Sequence, residues 1–312
     1  MPVIKKIRTA VVGTGYLGGF HAEKYSQLEN SQLVAVVDLD GKRAGEVAAK
    51  VGTRAYTSYR EILEMVDAVS IAVPTNLHYE VAKDFLEKGV GVLLEKPMTT
   101  TLSEADKLIR IAKEKGAVLQ IGHLERFNPA VLALGDTLSD PRFIESIRIA
   151  PFKQRGTDVN VVLDLMIHDI DIIQNIVRSP VRHIHCIGAP VFTPEEDIAN
   201  ARIEFENGCV ANVTASRISL KSERRMRIFQ PDSYITLDFQ NKKFAVFRKG
   251  DGEMFPGVPN IKFEEKVFDQ VDALKEEIVS FLEAVETGKP PVVSGEDGKR
   301  ALETALRINR KL

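Results

Sequence analysis

A glycine-rich turn, set between an apolar strand and a helix, constrains the fold of this chain more than any other feature of the sequence. Gly13, Gly15 and Gly18 form the pattern G-x-G-x-x-G directly after the short apolar run Ile7–Val12. Such glycines permit a tight turn and let backbone N–H groups approach a pyrophosphate at the start of the following helix. The turn therefore predicts a dinucleotide-binding βαβ unit whose cofactor contacts include Gly13, Gly15, Tyr16, Leu17 and Gly18.

An acidic residue at the end of the second apolar run favours one of the two nicotinamide cofactors. Asp38 lies twenty positions beyond Gly18. A carboxylate at that place accepts hydrogen bonds from both hydroxyls of the adenosine ribose and repels a 2′-phosphate. The sequence therefore predicts NAD as the cofactor. Lys42 and Arg43 follow closely and weaken the exclusion of NADP, which is less favoured but stays open.

The alternation of apolar runs with helix-length amphipathic runs defines a first domain. Near-continuous apolar strands separated by helices are typical of a parallel sheet that is covered on both faces. Residues 1–122 follow this pattern, and the predicted strands are Ile7–Val12, Leu33–Val37, Ala68–Val73, Val90–Leu94 and Ala117–Ile121. We expect an α/β fold there, with the doubly wound parallel sheet of a Rossmann domain.

After residue 122 the pattern changes to strands that follow one another. The expected strands are Ile144–Ala150, Val181–Ile187, Ile198–Phe205, Val210–Arg217, Arg225–Phe229, Tyr234–Phe239 and Phe244–Phe247, with helical stretches at Pro129–Leu138 and Asp164–Val177. Asn207-Gly208 predicts a hairpin turn, because this dipeptide tolerates positive φ. Residues 123–312 are therefore expected to form an α+β substrate and oligomerisation domain with a large, mainly antiparallel open sheet. The C-terminal helix has the option of packing back on the first domain.

Composition excludes several classes of function. The 312 residues carry a net charge of −2, which offers no basic surface to nucleic acid. Cys186 and Cys209 are too few for a disulfide framework, which fits a reducing cytoplasm. No apolar run approaches the roughly 18 residues of a membrane span. The sequence thus predicts a cytoplasmic, two-domain protein with a small-molecule partner, no nucleic acid and no membrane.

Polar residues follow the apolar strands at the sheet edge where open α/β folds bind their ligands. They are Pro74, Thr75, Asn76 and His78 after one strand, Glu95 and Lys96 after the next, and Arg126 and Asn128 after the last. Taken singly, each has an ordinary alternative as a helix cap or a surface charge. Their position beside a dinucleotide turn favours binding, with the first six at the cofactor and the last two at the substrate.

One helix of the second domain carries a narrow polar stripe. Asp164, His168, Asp171 and Asn175 recur at i, i+4, i+7 and i+11 on a helix that is apolar almost all round. The stripe indicates either a wetted outer face or the lining of an internal cavity, and in the second case Asp171 meets the substrate. Asp164 and His168 lack a recognisable third and fourth ligand, so no metal site is predicted.

Three motifs together resemble a known family of oxidoreductases over the whole chain. They are the turn Gly13–Gly18, the tripeptide Glu95-Lys96-Pro97 and the pair Asp164-x-x-x-His168. The family is that of glucose-fructose oxidoreductase, inositol dehydrogenase and MocA (Gfo/Idh/MocA). The resemblance implies an NAD-dependent dehydrogenase that oxidises a secondary hydroxyl of a sugar or nucleotide sugar. It further implies that Lys96, Asp164 and His168 form the catalytic group and that Asn76 and His78 lie along the cofactor.

Further segments resemble a bacterial branch of this family. They are Arg126–Pro129, Phe152–Gly156 and Ile198–Ile203. The resemblance implies oxidation of the 3-hydroxyl of UDP-N-acetylglucosamine. Five basic residues then become candidates for binding a diphosphate, whose geometry suits the arginine fork, although a solvated strand edge or a subunit contact explains them equally well. They are Arg155, Arg217, Lys221, Arg224 and Arg225.

Three questions stay open at the level of sequence. The general base is either His168, whose imidazole titrates near neutral pH, or Lys96, whose ammonium would lie beside the positive nicotinamide. The reaction is either a net oxidation or a transient oxidation that ends in elimination of a glycoside, and a non-catalytic NAD-binding sensor is a third alternative. One face of the second-domain sheet needs a cover, which predicts a homodimer or homotetramer through that sheet.

Overall fold

The computed structural model describes residues 6–153, 159–268 and 271–312, and these fall into two compact units. The first unit ends at Leu124 and takes up Asp272–Lys299 again, whereas the second comprises Glu125–Val271 together with Arg300–Leu312. Residues 272–299 lie in the first unit, although the sequence pattern places them in the second domain and allows only the C-terminal helix to pack back on the first. Within the described ranges no helix is both long and apolar enough to cross a bilayer.

The first unit is built on a six-stranded parallel sheet with the strand order β3-β2-β1-β4-β5-β6. Its elements are β1 (Ile7–Val12), α1 (Tyr16–Gln27), β2 (Ser31–Val37), α2 (Gly41–Val51), β3 (Arg54–Tyr56), β4 (Ala68–Ile71), α3 (Thr75–Glu87), β5 (Gly91–Glu95), α4 (Leu102–Lys115) and β6 (Leu119–Gly122). This is the order of a Rossmann domain, so the predicted doubly wound sheet is confirmed. The carboxyl ends of β1, β4 and β5 lie side by side at the point where the strand order reverses.

Two boundaries in this unit differ from the prediction. The three-residue strand β3 was not predicted, because it is too short to show an apolar period. The amphipathic pattern of the sequence predicts the helix after β4 from Tyr79 to Lys88, but α3 begins at Thr75, directly after Pro74. Proline is compatible with a helix start, since the first N–H groups of a helix have no partner within it. Asn76 and His78 therefore lie on the first turn of α3 and not in a loop.

The second unit is built on an eight-stranded sheet with the order β14-β13-β12-β11-β7-β10-β9-β8. Its elements are α5 (Pro129–Leu132), β7 (Phe143–Ile149), a π-helical turn (Val162–Met166) that continues into α6 (Ile167–Val177), β8 (Val181–Ala189), β9 (Ile198–Phe205), β10 (Val210–Ser216), β11 (Glu223–Phe229), β12 (Ser233–Asp238), β13 (Lys243–Phe255) and β14 (Val258–Val267). Only the β7–β10 pair is parallel among these, so the prediction of a mainly antiparallel sheet is confirmed.

The sheet of the second unit is packed on one face. Ile170 and Ile173 of α6 join Ile144, Val213 and Ile228 of the sheet in one apolar cluster. The hairpin predicted at Asn207-Gly208 is present between β9 and β10, where Gly208 has a φ of 84°. The last predicted strand, Phe244–Phe247, is part of the longer β13, and β14 was not predicted, because it is mostly exposed and shows no apolar run in the sequence. The helical stretch predicted at Pro129–Leu138 reduces to α5 and a short 3₁₀ turn at Gly135–Thr137.

Two C-terminal helices, α7 (Ala273–Thr287) and α8 (Gly295–Asn309), complete the chain. α7 buries Ile278, Phe281 and Leu282 against Val11 and Leu93 of the first sheet. Each such side chain contributes roughly 1.5–3 kcal/mol of transfer free energy, which holds the helix on a sheet made by the opposite end of the chain. The same packing carries Glu277 into the interior of this unit.

Candidate active site

The glycine turn has the geometry of a pyrophosphate site. Gly13 has a φ of 90°, and a Cβ at this residue would lie 2.6 Å from the carbonyl oxygen of Ala72. At Gly18 a Cβ would lie 1.7 Å from the carbonyl oxygen of Gly13, so the turn closes only with glycine at both positions. A Cβ at Gly15 meets no atom within 4 Å, and Gly15 is the N-cap of α1. The open space therefore lies at the positive end of a helix, next to Tyr16 and Leu17.

Asp38 follows β2 and is held in place as an anion. It accepts hydrogen bonds from the Thr14 backbone N (2.8 Å), the Thr14 hydroxyl (3.0 Å) and the Asp40 backbone N (3.0 Å). Burial raises the pKa of this carboxyl, but these hydrogen bonds and the Arg43 guanidinium outweigh it and lower the pKa overall. A carboxylate accepts about four hydrogen bonds, which leaves capacity for a ribose hydroxyl. A guanidinium nitrogen of Arg43 lies 3.6 Å from a carboxylate oxygen of Asp38, so Arg43 is the cation that weakens the exclusion of NADP.

The residues after β4 divide into two groups. Pro74, Thr75 and Asn76 are exposed or half-buried at the start of α3. His78 is buried, with Nδ1 2.9 Å from the Pro97 carbonyl oxygen and Nε2 2.9 Å from the Val73 carbonyl oxygen. Burial lowers the pKa of this imidazole, although the carbonyls oppose the shift. His78 thus ties the ends of β4 and β5 together, an internal role that differs from the predicted contact along the cofactor.

The tripeptide after β5 buries its acid inside the unit and leaves its lysine partly exposed. Glu95 is buried, with Oε1 3.2 Å from His21 Nε2, and its Oε2 accepts a hydrogen bond from the Lys96 backbone N at 3.3 Å. Burial raises the pKa of Glu95, but the hydrogen bond from His21 and the charge of Lys96 lower it by more than burial raises it. The carboxyl is therefore ionised. Lys96 itself is half-buried. Glu95 was predicted to contact the cofactor, but in the structure its carboxylate accepts a hydrogen bond from the backbone of Lys96.

In the second unit, Asp164 lies in the π-helical turn and His168 at the start of α6. Asn160 caps this start, because its Oδ1 accepts from the Leu163 N at 3.2 Å and its backbone oxygen accepts from the Asp164 N at 3.1 Å. Both Asp164 and His168 are half-buried. A π turn widens the helix by one residue, so the stripe predicted at regular α-helical spacing does not run straight through it.

Two buried ion pairs hold α6 just after His168, and they correct the predicted stripe. Arg148 of β7 donates to both oxygens of Asp169 at 2.9 Å, and Arg126 donates to both oxygens of Asp171 at 2.6 and 3.1 Å. Arg126 and Asp171, predicted to bind substrate, are 6% and 2% exposed and bind each other instead. Asp169 and Arg148 were not predicted. The alternation of β7 is a signal that was missed, since it places Arg148 on the same inward face as Ile144.

The other predicted substrate residues are accounted for as follows. Asn128 caps α5 by accepting from the Ala130 N at 3.1 Å and donates to the carbonyl oxygen of Phe239 at 3.1 Å, so the structure gives it an internal role. Arg217 is buried beside Asp197, to which it donates at 2.8 Å, which removes it from the candidates for a diphosphate. Arg155 lies outside the described residues.

The structure thus brings one set of predicted residues together within each unit. The glycine turn, Asp38, Asn76 and Lys96 follow the carboxyl ends of strands in the first unit, as a dinucleotide requires. Asp164 and His168 lie close in sequence at one helix start of the second unit. The predicted convergence of Lys96 with Asp164 and His168 concerns groups of different units and stays a prediction.

Comparisons with known proteins agree with this architecture. Residues 7–123 match the model of an oxidoreductase family with an NAD-binding Rossmann fold, and residues 145–232 match the model of the GFO/IDH/MocA C-terminal domain. The chain is 41% identical over 303 residues to the UDP-N-acetylglucosamine 3-dehydrogenase of Acidithiobacillus ferrooxidans, covering 97% of this chain and 96% of that protein.

Two further comparisons bear on the fold and on the breadth of the likeness. A solved structure of the UDP-N-acetylglucosamine 3-dehydrogenase from Acidithiobacillus ferrooxidans superposes with a TM-score of 0.93 at 40% identity, covering 98% of this chain and 97% of that one. The myo-inositol 2-dehydrogenase of Thermotoga maritima is 27% identical, covering 98% of this chain and 96% of that protein.

Proposed function

Because the chain belongs to the GFO/IDH/MocA family of oxidoreductases, we propose that it oxidises the 3-hydroxyl of UDP-N-acetylglucosamine and passes the hydride to NAD. The observation that carries this proposal is the 41% identity to a UDP-N-acetylglucosamine 3-dehydrogenase over 97% of the chain. The likeness covers the second unit as fully as the first, and substrate choice in a two-domain dehydrogenase depends on the domain that does not bind the cofactor. Inositol dehydrogenases match the same length at lower identity.

The first unit fits NAD on its own geometry. The open space at Gly15 faces the positive end of α1, and the ionised Asp38 suits a ribose diol. Bound NAD would accept the hydride. Asp38 selects against a 2′-phosphate by charge, although Arg43 at 3.6 Å reduces that repulsion.

Lys96, His168 and Asp164 are the groups to which we assign the proton chemistry. The proton of the reacting hydroxyl has to leave as the hydride departs, which requires a base near neutral pH and a cation for the developing alkoxide. His168 and Lys96 share these two tasks, in one order or the other, and Asp164 orients the imidazole. The buried ion pairs Arg148–Asp169 and Arg126–Asp171 hold α6 in place next to His168, which supports this role for the imidazole.

The proposal is tested by a panel of substrates. NADH absorbance should rise with NAD and UDP-N-acetylglucosamine, but not with UDP-glucose, free N-acetylglucosamine or myo-inositol. Lys96→Met should lower kcat by about 100-fold or more and leave NAD affinity nearly unchanged. Turnover of inositol alone would refute the substrate. Release of UDP without net NADH would instead indicate oxidation followed by elimination.

We also propose that the chain forms a homodimer or homotetramer through the outer face of the eight-stranded sheet. Five aromatic rings form a row across strands β7, β11, β12, β13 and β14, with neighbouring centroids 4.7–5.7 Å apart. The rings belong to Phe143, Phe229, Tyr234, Phe247 and Phe263. In β7, β11, β12 and β13 they alternate with buried residues and so face away from α6, and Phe263 of β14 continues the row from Phe247.

An apolar row on an open sheet face favours burial against a second copy. Phe247 and Phe263 are 36% and 53% exposed, so a charge at Phe263 is tolerated within the unit but not within an interface. Phe263→Asp should therefore reduce the mass measured by light scattering to that of a monomer. Leu132→Asp, at an exposed position on α5, is the control and should leave the mass unchanged. An unchanged mass for both variants would refute this interface.

A further inference from the structure

A fully buried carboxyl group lies close to Glu95, the residue before Lys96, and takes no part in the proposed chemistry. Glu277 of α7 is 0% exposed, and neither of its carboxyl oxygens has a hydrogen-bond partner among the described residues. It lies in a cluster with His21 and Glu95, in which one ligand atom of each residue lies within 4.8 Å of the others. An ionised carboxylate without a donor is very unfavourable in a protein interior.

The neighbouring groups are arranged as a chain of donors that ends on Glu95. The Tyr25 hydroxyl lies 2.8 Å from the Ser70 hydroxyl, which lies 3.1 Å from His21 Nδ1. His21 Nε2 lies 3.2 Å from Glu95 Oε1. Every contact is satisfied when Tyr25 donates to Ser70, Ser70 donates to a neutral His21, and His21 donates to an ionised Glu95. The Lys96 backbone N donates to the second oxygen of Glu95.

Two carboxyl groups in one dry cluster do not both ionise, because like charges at this distance repel strongly at low dielectric. The surroundings decide which one keeps the proton. Burial, followed by the charge of Glu95, raises the pKa of Glu277 well above its usual value. For Glu95, by contrast, the hydrogen bond from His21 and the charge of Lys96 outweigh burial and lower the pKa. When the surroundings push the pKa values of two neighbouring acids apart in this way, the acid with the higher pKa keeps the proton.

The titratable groups facing Glu277 come from two elements, with a polar contact from a third. His21 and Tyr25 are contributed by α1, and Glu95 by β5. From β6, the Gln120 amide donates to the backbone oxygen of Glu277 at 3.1 Å, which fixes the helix and leaves the carboxyl group without a donor. No cation in this set is directed at Glu277, so a proton is the available means of neutralising it.

We propose that Glu277 carries the single proton of the Glu95–Glu277 pair at neutral pH, and that Glu95, left as the carboxylate, is the positioning residue that holds Lys96 for the reaction. This rests on the proposed function, because that function places Lys96 at the reacting hydroxyl, either as the base or as the cation that stabilises the alkoxide. A protonated Glu277 keeps one negative charge behind the lysine. A second carboxylate there would repel the charge of Glu95, on which the placement of Lys96 depends.

Two isosteric substitutions in the same cluster test this directly. Glu277→Gln keeps a neutral group and should retain the kcat and pH profile of the wild-type chain. Glu95→Gln removes the charged acceptor and should lower kcat by about tenfold or more, with a much smaller change in NAD affinity. Glu283→Gln, at an exposed position of the same helix, is the control. Thermal unfolding and NADH fluorescence establish that each variant is folded and binds cofactor.

Each other outcome overturns the proposal. Loss of kcat in Glu277→Gln but not in Glu95→Gln would place the proton on Glu95. Loss in both would mean that both are ionised, as in a metal site, which metal analysis of the purified protein would reveal. Loss in neither would remove Glu95 as a positioning residue. The kinetics use whichever sugar of the panel the wild-type chain turns over.

Infrared difference spectra separate this inference from the proposed function. The carbonyl band of a protonated carboxylic acid should be present at neutral pH in the wild-type chain and absent in Glu277→Gln. This measurement needs no substrate, so a chain that fails to oxidise UDP-N-acetylglucosamine still reports where the proton is. Identical spectra for the two proteins would refute the protonated Glu277.

Discussion

Replacement of Glu277 by glutamine should change how the stability of the chain depends on pH. The ordinary pKa of a glutamate is 4.5, and burial and Glu95 raise that of Glu277 well above it in the folded state. Above about pH 5 the unfolded chain therefore releases a proton that the folded chain keeps. The free energy of unfolding is greatest below the unfolded pKa and falls as pH rises toward the folded one. Glutamine has no proton to release and lacks this dependence.

The expected magnitude follows from one proton. The free energy of unfolding changes by about 1.4 kcal/mol per pH unit for each proton by which the two states differ. Over the pH range in which only the folded chain keeps this proton, the wild-type chain should therefore lose stability relative to Glu277→Gln, by about 1–3 kcal/mol in all. All other titrating groups are shared by the two proteins, so their contributions cancel in this difference.

Urea unfolding followed by circular dichroism at several pH values measures the effect. The difference in free energy between wild type and Glu277→Gln should grow with pH, whereas Glu283→Gln should run parallel to the wild type, because Glu283 is exposed. A difference that stays constant over this range would refute the reasoning, since it would mean that Glu277 gains no proton on folding.

Three further changes have defined outcomes. Gly18→Ala places a methyl group 1.7 Å from a backbone carbonyl and should abolish NAD binding measured by NADH fluorescence; normal affinity would contradict the turn geometry. Asp38→Ala should raise the Kd for NAD by about tenfold and bring the Kd values for NAD and NADP closer together. An unchanged ratio of these two Kd values would count against Asp38 as the ribose acceptor. Arg148→Met leaves Asp169 buried without its cation and should cost about 3–5 kcal/mol at neutral pH in urea unfolding. That loss should shrink in acid, because burial already raises the pKa of Asp169, and a loss independent of pH would contradict this account.

The parts of the structure that depend on residues close together in the chain could be predicted from the sequence. The parallel sheet follows from apolar runs of strand length, and the dinucleotide turn from glycines at Gly13 and Gly18, where no side chain fits. The hairpin at Gly208 follows from its positive φ. Elements without a period of their own were missed. β3 has only three residues, and β14 is defined by pairing with β13 and not by an apolar face.

What a polar side chain does was decided only by the tertiary structure. The sequence shows that Arg126 and Asp171 are charged and lie 45 residues apart in the chain, but not that their side chains lie 2.6 Å apart in space. On an amphipathic helix Glu277 resembles the exposed Glu276 beside it. It becomes a buried acid because α7 packs on a sheet formed by the first part of the chain. Burial, donors and neighbouring charges set the protonation of such a group, and these are properties of distances in space, which a linear pattern does not contain.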